Sequence, residues 1–210
     1  MLGRFDNPNP SAAGVAGEVG VGVRLGQRLV RIVVCFSALL SSGVAVKAQD
    51  VIDERLEYNV KAVSLYAFGR YVTWPETAFD GPDSPFVIGM LGGNPFGDAL
   101  DRIAAKKTIN GRTIVVRQVT SPAESGGCHI LFVTRTVTTE IETQLFEAVA
   151  GRPVLLVGES PGFTERGGII NFYQSGNNVR FELNPDRSIE SRLSLNAKLL
   201  TLGTKASTRR

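Results

Sequence analysis

Apolar residues recur at Ile52, Leu56, Val60, Val63, Ala67, Tyr71 and Trp74, in steps of four, four, three, four, four and three. That is the helical period, and it predicts a helix over 52–74 with these side chains on its core face. A second stripe through Leu65, Phe68 and Val72 widens the apolar face, so the C-terminal half of the helix should be largely buried. Pro75 disfavours helical geometry at Trp74 and closes the element. Beyond the turn-rich stretch 80–85, the continuous apolar run Phe86 to Leu91 reads as a strand covered on both faces. Asn94 and Pro95 suit the cap and first turn of a following helix whose core face is Phe96, Leu100 and Ile103.

Asn110-Gly111 marks a turn into a strand over 112–119, and a further strand runs from His129 to Val133. The stretch 137–149 has helical spacing at Ile141, Leu145 and Val149, and 153–157 reads as another buried strand. Strands over 168–173 and 179–183, joined through Gln174-Ser175-Gly176-Asn177-Asn178, predict a hairpin. In its second strand Val179, Phe181 and Leu183 alternate with Arg180 and Glu182, giving one packed and one wet face. Asn184-Pro185-Asp186 then opens a helix that aligns Ile189, Leu193, Ala197 and Leu200, and 204–210 is expected as a frayed tail. Alternating strands and helices with a closing hairpin predict an α/β fold: a mixed β-sheet flanked by helices on both faces, in a single compact domain over 49–203.

The N-terminal segment has a different pattern. Arg24, Arg28 and Arg31 precede an apolar run from Ile32 to Val46, followed by Val46-Lys47-Ala48 and Gln49. A basic region, a short apolar run and a small-residue site in that order predict a signal peptide over 1–48, cleaved between Ala48 and Gln49. The run is interrupted by Ser37, Ser41, Ser42 and Gly43, and a membrane span needs about 20 predominantly apolar residues, so cleavage fits better than anchoring. The expected localisation is periplasmic.

Export changes how charge and cysteine content read. The net charge of +3 and pI near 9.0 suggest nucleic acid, yet residues 49–210 hold 18 basic and 18 acidic side chains, which leaves no basic stripe for phosphates. No nucleic-acid partner is expected. Cys35 falls inside the apolar run and is lost with it, leaving Cys128 as a lone thiol at the start of an apolar strand. Burial is the expected state of Cys128, with a redox role as the other reading.

The chemistry-bearing patterns are weak. Gly158-Glu159-Ser160-Pro161-Gly162 matches a nucleophile elbow, but a strand rather than a helix is expected after it, and the single histidine, His129, precedes the serine. Gly89 to Gly97 lacks the spacing of a dinucleotide fingerprint and the Lys-Ser/Thr of a phosphate loop. One histidine and one retained cysteine make no usual zinc site. His129 is expected to be structural, and neither a catalytic residue, a metal nor a cofactor is expected.

Several collinear segments together resemble the YfiR-like family of periplasmic proteins. They are Lys61-Ala62 through Leu65-Tyr66-Ala67-Phe68 to Tyr71-Val72-Thr73-Trp74-Pro75; Ile88 to Gly92 with Asn94-Pro95-Phe96-Gly97; His129 to Phe132; Val154 to Gly158; and Gly167 to Phe172 with Val179 to Asn184. The resemblance implies a non-enzymatic regulator that binds the periplasmic sensory part of an inner-membrane diguanylate cyclase and holds it inactive, limiting cyclic di-GMP and biofilm formation. It also implies a homodimer and, in the prototype, a disulfide that a chain with one retained cysteine does not share. By analogy with the family's stretch after Phe181-Glu182, the partner surface is expected at Glu182, Ser188 and Ile189. The competing reading makes Glu182 a solvated edge residue and Ile189 part of the buried stripe. The alternative function is a small-ligand or cell-wall-fragment binding module reporting to a receptor or sensor kinase, with its site at Asn94 to Gly97 or in a pocket near Tyr66 and Trp74.

Overall fold

The chain is helical through residues 53–71 (α1) in the computed structural model, which describes residues 53–206. The signal peptide expected over 1–48, with Ala48 and Gln49, lies outside the described residues. After α1 come β1 (Val72–Thr73), β2 (Phe86–Leu91), α2 (Ala99–Ala104), β3 (Thr108–Ile109), β4 (Arg112–Val119) and β5 (Ile130–Val133). The second half holds α3 (Thr139–Ala148), β6 (Leu155–Gly158), α4 (Phe163–Arg166), β7 (Ile170–Ser175), β8 (Asn178–Leu183), α5 (Pro185–Glu190), β9 (Ser194–Leu195), α6 (Ala197–Leu202) and β10 (Thr204–Lys205).

Eight strands form one mixed sheet in the order β10-β8-β7-β6-β5-β2-β4-β3, while β1 and β9 pair separately. Strands β4, β2, β5, β6 and β7 run parallel, and the hairpin partner β8 is antiparallel to β7. One core cluster lies under α1, α2 and α6 and includes Phe68, Leu100, Phe132 and Leu199. The other lies under α3 and α4 and includes Leu131, Leu145 and Phe163. The result is the expected single compact α/β domain with helices on both faces of a mixed sheet.

In α1 the register of the buried face differs from the expectation. Tyr58, Ala62, Leu65, Phe68 and Val72 enter the core, whereas Leu56, Val60 and Val63 are exposed. The larger rings decide it: Phe68 stacks on Phe172 at 5.6 Å and meets Phe181 edge-on at 5.0 Å, and Tyr58 meets Phe96 at 5.5 Å. Burying aromatic area outweighs burying the smaller aliphatic stripe on the opposite side of the helix.

Two other elements depart from the pattern. The helix expected from Asn94 begins at Ala99, because Asn94 folds its own loop: Oδ1 accepts from Phe96 N at 3.0 Å and Nδ2 donates to Gly97 O at 2.9 Å. The single C-terminal helix is instead α5, β9 and α6. A left-handed Arg192 (φ 56°) breaks it, and the Leu193 N–H turns back to the Ser188 carbonyl. The break lets both Leu193 and Leu199 reach the core, which one straight helix would not do. The expected tail is also partly ordered, since Thr204–Lys205 pairs in parallel with Glu182 and Leu183.

Asn184 caps α5, its Oδ1 accepting from Arg187 N while its Nδ2 donates to the Thr164 carbonyl. Asn184→Ala is therefore expected to cost about 1 kcal/mol of stability, measured by urea unfolding.

Candidate functional site

The short antiparallel pair of β1 with β9, in register Val72↔Leu195 and Thr73↔Ser194, draws the end of α1 against the C-terminal elements. Pro75 ends that segment, and Trp74 is fixed edge-on against Phe86 at 4.9 Å. Between them and α5 and α6 lies an open groove of about 510 Å³, lined mainly by apolar side chains including Trp74, Pro75, Pro185, Ile189, Leu195 and Leu200. Ile189 stands at its rim with 71% of its surface exposed, and Leu200 is exposed beside it. A large exposed aliphatic at the edge of an apolar concavity is a feature of surfaces that receive a partner's side chain.

Of the three residues expected at a partner surface, Ser188 and Ile189 line the groove, and of these two Ile189 alone is exposed. Ser188 is buried, and its hydroxyl donates to the Pro185 carbonyl at 2.6 Å, which ties the first turn of α5. Glu182 lies on the opposite face of β8 from Phe181. Its Oε1 accepts from Thr164 Oγ1 at 2.8 Å and from Asn171 Nδ2 at 3.3 Å, so the half-buried carboxylate holds α4 to β7 and β8. A lysine at 182 would remove both acceptors, so the melting temperature would move along with any change in capture.

A second constellation sits where β5 and β6 end. Glu159, the residue after β6, accepts from Tyr58 Oη at 3.0 Å and from the Arg135 backbone N–H at 3.1 Å, and pairs with Lys61. Lys61 also pairs with Glu57, which in turn accepts from Arg135 Nη2 at 3.1 Å and from Gln174. The Lys61 and Glu159 side chains are 3% and 2% exposed. Burial alone would raise the Glu159 carboxyl, but the Lys61 hydrogen bond and charge, followed by Arg135, outweigh it and hold the group below its ordinary value. Burial and the Glu159 charge push the Tyr58 phenol up. Every charged member faces an opposite charge, so the cluster pins α1 to the strand ends and presents no uncommitted base. Glu57 and Lys61 at i, i+4 were legible as a helix pair, but nothing in the spacing joins them to Glu159 about a hundred residues on.

The remaining sequence patterns separate in space. A single helical turn, α4, follows Ser160, where a strand was expected. His129 nevertheless precedes β5 while Ser160 follows β6, and these parallel neighbours place the two residues at opposite ends of the sheet. His129 is also occupied: Nδ1 accepts from Val87 N at 3.0 Å and Nε2 faces the Ala78 carbonyl at 3.1 Å. Cys128 is buried and free, with Arg117 Nη2 3.0 Å from Sγ, and a Cβ on Gly89 would lie 2.6 Å from that sulfur. A thiol so enclosed is not available for a covalent dimer. Among the described residues, no group of three or more His, Cys, Asp or Glu side chains is placed to hold a metal.

A larger cavity of about 660 Å³ lies on the other side of Trp74, between Phe79, Arg70, Asn110 and Arg112. Arg112 stacks on Phe79 at 3.9 Å while its Nη1 is committed to Gly81 and Ser84. The Trp74 indole N–H is buried without a partner among the described residues.

A family model described as YfiR/HmsC-like matches residues 58–204, nearly the whole described domain. No curated protein matches the chain. No helix of the described residues is long and apolar enough to cross a membrane.

Proposed function

Because the chain belongs to the YfiR/HmsC-like family, whose members are periplasmic regulators of diguanylate cyclases, we propose that it represses one inner-membrane cyclase by binding that enzyme's periplasmic sensory part. The family match over 58–204 carries this reading. The groove beside Trp74, with Ile189 at its rim, is the contact surface that fits it best. Repression then follows from differential affinity: the chain binds the silent state of the cyclase more tightly than the active one and draws the population toward it. Cyclic di-GMP and biofilm formation fall while the complex persists.

The test uses the full chain co-expressed with an inner-membrane diguanylate cyclase encoded beside it, with cyclic di-GMP as the readout. Wild type is expected to lower the nucleotide level and to capture the cyclase's periplasmic part in a pull-down. Ile189→Asp is expected to weaken capture at least about tenfold with an unchanged melting temperature, because the side chain is already solvated. Full repression by that variant would move the contact away from the groove. Absence of capture by the wild type would remove the reading itself.

The small-ligand reading has one observation in its favour, the 660 Å³ cavity against Trp74 with its unpartnered indole N–H. Trp74 is the only tryptophan, so saturable quenching of intrinsic fluorescence by cell-wall fragments would favour it.

A further inference from the structure

We infer that the cavity of about 660 Å³ on the far side of Trp74 is a binding site for a small organic monocarboxylate. The inference rests on the small-ligand reading of that cavity and is separate from the cyclase surface. The volume lies within the range of about 300–1,000 Å³ that small-molecule sites occupy, so the ligand has a body as well as a charge. Val72, Trp74, Phe79 and Pro82 offer apolar surface to that body. Arg70 and Arg112 line the same cavity, with Glu76 as its single acid. None of these three takes part in an ion pair among the described residues, so two guanidiniums stand against one carboxylate. The excess of one positive charge matches a monoanion, and Glu76 disfavours a second negative charge on the ligand.

The donors are already in place. Arg112 has its guanidinium carbon 3.9 Å from the Phe79 ring centre, and its Nη1 donates to the Gly81 and Ser84 carbonyls at 2.8 and 2.7 Å. These contacts fix the planar fork and leave its Nε and Nη2 without an acceptor among the described residues. Arg70 is exposed and holds no acid. Trp74 is 8% exposed, and its indole N–H has no partner among the described residues. Two other buried side-chain atoms share that condition, Ser125 Oγ and Asn171 Oδ1, but neither residue lines this cavity. Leaving a buried donor unpaired is costly, so an acceptor that reaches it gains more than the same contact at the surface. A carboxylate is acceptor-only, takes two parallel hydrogen bonds from a guanidinium, and so suits this donor set. A cationic ligand would meet both arginines, and a neutral amide would forgo the charge assistance.

Intrinsic fluorescence reads the site directly, because Trp74 is the only tryptophan of the chain. Protein expressed from the full-length chain is titrated with octanoate and phenylacetate, and with octanamide and phenylacetamide as their neutral counterparts. At least one carboxylate is expected to give a saturable change with a dissociation constant below about 1 mM, at least about tenfold tighter than its amide. Arg70→Gln should weaken that carboxylate at least about fivefold and leave the amide and the melting temperature unchanged, since the side chain is exposed and unpaired. Trp74→Phe, followed by calorimetry, should weaken it as well through loss of the indole donor. Equal affinity for acid and amide overturns the inference, as does a carboxylate that Arg70→Gln binds as tightly as wild type. Silence from both carboxylates overturns it too and leaves a cavity that holds water. If cell-wall fragments still quench saturably in that case, the small-ligand reading survives without this inference; if they do not, both fall.

Discussion

Lys61→Ala is expected to destabilise the domain by about 3 kcal/mol, lowering its melting temperature on the order of 10 °C. Lys61 bridges Glu57 and Glu159, and both carboxylates are nearly enclosed. Without the ammonium, two negative charges remain near one another in a site that water reaches poorly. The cost falls at the lower end of the range for broken buried pairs, because Arg135 stays within 3.1 Å of Glu57 and 3.5 Å of Glu159. Lys61→Met restores volume but no charge and should recover little. Adding Glu159→Gln to Lys61→Met removes one of the stranded charges and should recover more than half of the loss. Thermal melts of wild type, Lys61→Met, Glu159→Gln and the double variant form a double-mutant cycle. A melting temperature within about 1 °C of wild type for Lys61→Ala would mean that Arg135 alone neutralises the site.

That cluster also marks where reading the sequence stops working. Strand β2 was legible because a six-residue apolar run between turn residues has few other places to go, and the β7–β8 hairpin because its alternation and Gly176 agree. Short-range pattern settles such elements. Which side of α1 faces inward was not legible, since both sides are apolar and the choice depends on Phe172 and Phe181 arriving from a hairpin a hundred residues later. The same holds for α5 and α6. Ile189, Leu193, Ala197 and Leu200 keep helical spacing, but the chain breaks at Arg192 because β9 must pair with β1, a contact no local pattern encodes. With the break, Ile189 and Leu200 are both exposed at the groove beside Trp74. The segment expected at a partner surface borders the groove, while only the tertiary arrangement separates the exposed Ile189 from Ser188 and Glu182, which are committed within the domain.

Lowering the pH from 7 to 5 is expected to remove about 2 kcal/mol of stability through His129 alone. The ring is stacked between Phe79 at 4.4 Å and Phe86 at 4.8 Å. Burial, opposed by the hydrogen bond to the Ala78 carbonyl and aided by the Arg112 charge, pushes its pKa down to about 4, with Asp80 the only nearby acid acting the other way. The unfolded chain takes up the proton near pH 6.5, so this contribution is complete above that value and is lost as the pH falls toward 4. The depressed carboxyl of Glu159 acts in the same direction, but only as the pH drops below its ordinary value of 4.5, so the two windows separate. Urea unfolding of wild type and His129→Gln between pH 7 and pH 5 isolates the histidine: the variant should start less stable and vary little with pH. An equal slope in both proteins would place the acid sensitivity elsewhere. Trp74 packs on Phe86, which stacks on His129, so a proton on the ring loosens the wall of the groove as well as the core. Because the folded ring takes up its proton only near pH 4, capture through Ile189 should stay level between pH 6.5 and pH 5 while stability falls, and weaken only toward pH 4 in wild type but not in His129→Gln.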